Sequence, residues 1–169
     1  MTNSKVNHVV RGGMYTAISL VLLYLAAFVP NSKLFFTAAA SCIIPVSIIT
    51  IGIKYSFIVY GAICFLGFLL PFSKGIIIAY IIFFGLYGFV KYAAERIRKL
   101  PLEILIKLCF FNAAVFVLYL ISKLFISYTL PSNVPSAVII AGIEIIFLIY
   151  DYVLTLFMCY VLHKSHFLK

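Results

Sequence analysis

The 169-residue chain has no tryptophan, only four acidic residues, and charged residues at just 10% of its length. A soluble domain carries about 25% charged residues and is about 45–50% apolar. Here 66% of the residues are hydrophobic and the mean hydropathy is +1.23. That much apolar surface has nowhere to go in water, so the expected fold class is an all-α integral membrane protein. The polar stretches are all short, which excludes a separate soluble domain.

Other absences narrow the chemistry. No G-x-x-x-x-G-K-[ST] loop occurs, which excludes P-loop ATP binding by this chain. No H-E-x-x-H, G-x-S-x-G or paired-histidine pattern is present, and no serine or cysteine has an evident base beside it. The expectation is therefore not an enzyme, with no cofactor and no metal. His8, His163 and His166 sit near the termini, as in solvated tails. Cys42, Cys64, Cys109 and Cys159 fall in separate apolar runs without metal-ligand spacing. The net charge of +9 comes from basic residues flanking apolar runs, so it points to membrane insertion and not to nucleic acid.

A crossing helix needs about 20 mostly apolar residues. Six runs qualify, at about 12–29, 34–53, 55–70, 75–92, 104–128 and 137–162. They define one six-helix membrane domain over residues 1–169. The breaks are punctuated by "VPNSK", "GIK", "LPFSKG", "AAERIRKLPLE" and "TLPSNVPS". The second and third runs almost merge around Gly52. The first run, taken alone, has the look of a signal peptide; five further runs favour a retained helix. With the N-terminus inside, ten basic residues lie on the inner side and only Lys33, Lys74 and Lys123 on the outer side. This bias predicts that both termini are cytoplasmic, in a multi-pass protein of the cell membrane. In the 93–103 segment, Glu95 with Lys99 and Glu103 with Lys107 have i,i+4 spacing, which predicts helix continuing past Pro101. The segment suits contact with anionic lipid or a cytoplasmic partner.

Charged groups within a span cost about 2.5–3.5 kcal/mol at the bilayer centre, so they face the bundle interior and find partners. At 1.5 Å per residue, Lys123 and Glu144 come out about 10 and 8 Å to the outer side of the midplane. They are expected either to pair or to line a pocket open to the outside. Asp151 falls within about 3 Å of the midplane and Asn112 about 6 Å inward, so these two are expected to hydrogen-bond or to floor the pocket. Glu144 and Asp151 are seven residues apart and share a face with Phe147, while Tyr150 and Tyr152 flank Asp151. The candidate substrate-binding residues are thus Lys123, Glu144, Phe147, Asp151, Asn112 and Tyr150. Small residues at Gly13 and Ala17, and at Gly85 and Gly88, suit close helix packing or a partner's helices.

The opening "RGGMYTAISLVLLYLAAFVP" is similar to that of the substrate-binding S components of energy-coupling-factor transporters, and "GIKYSFIVYGAICFLGFLLP" resembles their second-to-third span connection. The resemblance implies a membrane protein that captures a small molecule or vitamin. It would work with a transmembrane coupling subunit and cytoplasmic ATPases, which supply the missing P-loop. It places the ligand pocket toward the outside, near Lys123, Glu144 and the 129–136 loop, and gives Gly13 and Ala17 a partner-binding role. The chain departs from the family in its very short 30–33 connection, where members often have a longer lid loop. Two other classes stay open: a membrane scaffold of cell-envelope assembly, resembling the six-span rod-shape factor, and a lipid-handling protein with a cavity open sideways.

Overall fold

The computed structural model describes residues 2–70, 74–97, 99–125 and 136–167, and every regular element among them is helical. Among the described residues, five helices are long and apolar enough to cross a membrane: Val6–Phe28, Lys33–Ile51, Lys74–Glu95, Pro101–Lys123 and Gly142–Val161. A sixth, Ile53–Leu69, is apolar but has only 17 residues. The expected "TLPSNVPS" loop lies almost wholly outside the described residues. The chain divides into two compact units, Met1–Glu103 and Ile104–Lys169.

In the first unit, α1 (Thr2–Phe28) starts ten residues before the apolar run, because hydropathy marks only the part of a helix suited to lipid. It stops where Pro30 pushes Val29 into an extended conformation (φ −99°, ψ 96°). A short 3₁₀ turn, Pro30–Ser32, leads into α2 (Lys33–Ser41) and α3 (Ile43–Ile51). Pro45 cannot donate a backbone hydrogen bond to the preceding turn, and the two segments join at Cys42 (φ −62°, ψ −21°). Gly52 then separates α3 from α4 (Ile53–Leu69) with φ 87° and ψ 160°, a conformation that a side chain would strain. The near-merger of the second and third apolar runs is resolved by this one residue. Leu70, before Pro71, turns extended and ends α4.

The next rod is α5 (Lys74–Ala79), a π-helical turn at Tyr80–Phe84, and α6 (Gly85–Glu95). Tyr60 of α4 donates to the Ile81 carbonyl within that turn at 2.8 Å. The Tyr60 ring packs so closely on Gly85 that a Cβ there would come within 2.5 Å of it. At Gly88 a Cβ would meet the Pro45 ring at 2.9 Å and Ile44 at 3.0 Å. Gly85 and Gly88 thus serve close packing, one of the two roles expected of them.

Leu23, Ala26, Ala40, Ile44, Ile63 and Tyr80 are fully buried at the centre of this unit. Polar crosslinks add to the apolar packing: the Ser47 and Ser56 hydroxyls meet at 2.8 Å, and those of Tyr15 and Thr50 at 3.0 Å.

The 93–103 segment does not continue as helix. α6 ends at Glu95, and α7 (Leu100–Phe125) starts afresh with Pro101 in its first turn, where a missing N–H costs nothing. Glu95 pairs backward with the fully buried Lys91 at 2.8 Å, not forward with Lys99.

In the second unit, α7 and α8 (Ser136–Phe167) lie antiparallel. Phe111 and Phe147 stack with their rings 4.3 Å apart and 12° from parallel, and Leu154 and Met158 are buried further along the same face of α8.

Candidate functional site

The candidate site is the polar ladder of the α7–α8 hairpin. Residues 144, 147, 151, 154 and 158 recur at helical spacing and put one stripe of α8 toward α7. Within it the Phe111–Phe147 stack sits between two polar rungs.

The rung nearer the start of α7 is an ion pair. Lys107 Nζ donates to Asp151 Oδ2 at 2.9 Å, with the Lys107 side chain only 5% exposed. Thr155 also donates to the Asp151 backbone carbonyl at 2.8 Å, fixing the turn below. The rung further along α7 is weaker. Asn112 Nδ2 donates to Glu144 Oε1 at 3.3 Å and to the Leu108 carbonyl at 3.0 Å, so both amide protons are used. An amide can hydrogen-bond a carboxylate but cannot neutralise it. Among the described residues Glu144 has no cationic partner.

The residues expected at the site are therefore sorted differently from their depths. Glu144 meets Asn112 and not Lys123; Asp151 meets Lys107 and not Asn112. Lys123 is exposed near the end of α7, eleven residues beyond Asn112, or about 16 Å along the helix. Phe147 is buried in the stack, Tyr150 is half-buried, and Tyr152 is 65% exposed and off the stripe.

The middles of the two apolar runs do not lie at the same level. The helices instead settle in the register that closes the Lys107 pair and the ring stack. Lys107 was the residue sequence reasoning missed. In sequence it reads as an inner-side basic residue spaced to pair with Glu103, yet a long lysine stem can carry its charge some way into a span. The available signal was that Asp151 had no charged partner at its own depth.

In the first unit, Gly13 and Ala17 lie exposed on α1, and a Cβ on Gly13 would meet nothing within 4 Å. They do not serve helix packing within that unit. Both line an apolar groove of about 500 Å³ between α1 and α4. No family model, no curated protein and no solved structure matches this chain.

Proposed function

We propose that this chain is a six-span cell-membrane protein with both termini cytoplasmic, and that it captures a small solute carrying a cationic group. The reading makes it the substrate-binding subunit of an ATP-driven uptake system, energised by separate coupling and ATPase subunits. The observation that carries it is the unequal neutralisation of the two acids among the described residues: Asp151 has Lys107, whereas Glu144 has the Asn112 amide and no cation. A carboxylate within an apolar helix is costly unless an opposite charge joins it. An amine-bearing solute supplies that charge, with Asn112 fixing the carboxylate that receives it. Asp151 then serves as a neutral floor, and Lys123 is left out of the binding step.

The topology is supported by the run of helices and by the ten-to-three basic bias. The need for separate ATPases rests on the missing P-loop and on the family resemblance.

The test is purification from native membranes, with mass spectrometry for a retained solute and for ATPase subunits, followed by titration with organic amines. Glu144→Gln is expected to weaken amine binding by about tenfold or more, through loss of the charge that attracts the amine. Recovery of neither solute nor ATPase, with no amine binding, overturns the reading.

A scaffold role is the second reading, favoured by the closed Lys107–Asp151 pair, which can act purely as a helix–helix tie. It expects Glu144→Gln and Asp151→Asn to alter assembly of the cell envelope and not solute binding.

A further inference from the structure

The groove between α1 and α4 raises a question separate from solute capture. The two helices run in the same direction: the His8 ring stacks on Tyr55 at 5.1 Å, and one turn on, Gly12 approaches Val59, where a Cβ would lie 3.3 Å from its side chain. Past this point they leave an open channel floored by Gly13 and Ala17, ending at Leu20 and Leu66. From His8 to Leu20 the channel is about 18 Å long at 1.5 Å per residue. That is close to the roughly 15 Å depth of a single leaflet, half of the hydrocarbon core.

The two ends differ chemically. The far end is wholly apolar. At the near end stand His8, whose Nδ1 is buried without a hydrogen-bond partner among the described residues, and the exposed Arg11 and Lys54, each next in sequence to a lining residue. No acidic residue occurs in residues 1–94. A cationic mouth on a leaflet-deep apolar channel matches one class of molecule in charge and length.

We propose that this groove binds one acyl chain of an anionic phospholipid, with the headgroup phosphate held by Arg11 and Lys54 and the His8 ring at the ester level. Glycine at 13 and alanine at 17 keep the channel open to the chain. Lipid occupancy and docking of a protein partner on Gly13 and Ala17 exclude each other, so a partner must displace the lipid.

The experiment uses the full-length protein in nanodiscs of phosphatidylcholine, with or without phosphatidylglycerol, followed by gentle release and native mass spectrometry. The wild type is expected to retain one phosphatidylglycerol in preference to phosphatidylcholine by on the order of tenfold, as two basic residues at a membrane surface provide. Ala17→Leu and Gly13→Leu, both at exposed positions, are expected to abolish retention while leaving the helical circular dichroism and thermal midpoint unchanged. Arg11→Gln with Lys54→Gln, which leaves the groove untouched, is expected to equalise the two lipids. Equal retention of both lipids by the wild type overturns the proposal, as does undiminished retention by the leucine variants. A polypeptide recovered on the groove in place of lipid overturns it in favour of partner docking.

Discussion

Lys107 and Asp151, forty-four residues apart in sequence, close a 2.9 Å ion pair between α7 and α8, and neither side chain is more than 17% exposed. The pair fixes which residues of the two helices face each other. It also leaves Glu144, seven residues from Asp151, without a counter-charge among the described residues.

Removing one partner of such a pair takes a close counter-charge from the other. Lys107→Met is expected to cost about 3–5 kcal/mol, and Lys107→Met with Asp151→Leu less, because the double change removes both charges of the pair. Thermal or denaturant unfolding of the three variants in detergent measures this. Additive losses would mean that the two side chains act independently.

Gly88 and Gly13 are expected to respond in opposite ways to one methyl group. Gly88→Ala drives a Cβ into Pro45 and Ile44, and overpacking of this kind costs about 1–3 kcal/mol. Gly13→Ala meets open space and should leave the unfolding midpoint unchanged or slightly raised. Comparing the two midpoints under one condition is sufficient.

The Ser47–Ser56 contact links α3 to α4 across the Gly52 break. A double-mutant cycle with Ser47→Ala and Ser56→Ala should return a coupling of about 0.6 kcal/mol, typical of interhelical hydrogen bonds in membranes, and under about 1.7. A coupling near zero would mean that Ser47 gives its one proton to the Ile44 carbonyl, the alternative acceptor within its reach, while Ser56 donates to the Gly52 carbonyl.

Tyr60→Phe removes the donor to the Ile81 carbonyl while keeping the ring on Gly85. The expected loss is about 1 kcal/mol, with faster amide exchange over Tyr80–Gly85. Exchange that rises equally along α4 would point to general loosening and not to the π turn.

The same register explains which parts of the site were legible. That Glu144, Phe147 and Asp151 share a face follows from helical spacing alone, and all three lie toward α7. Their partners did not follow, because helix–helix register depends on how side chains interdigitate and how far a lysine stem reaches. The two apolar runs gave only approximate middles. The π turn at Tyr80–Phe84 was equally hidden: its apolar residues fit an ordinary helix, and its carbonyl is satisfied by Tyr60, twenty-one residues earlier.

By itself the sequence determined an apolar all-helical chain and its breaks near Pro30, Gly52 and Pro71. Both are local matters: each run's composition sets its preference for lipid, and Pro30, Gly52 and Pro71 constrain the backbone wherever they stand. Only the tertiary structure decided that Asp151 belongs to Lys107 and that Gly13 and Ala17 open onto a groove. Those outcomes depend on which surfaces of distant helices fit together, and a sliding helix changes every such contact without changing any local preference.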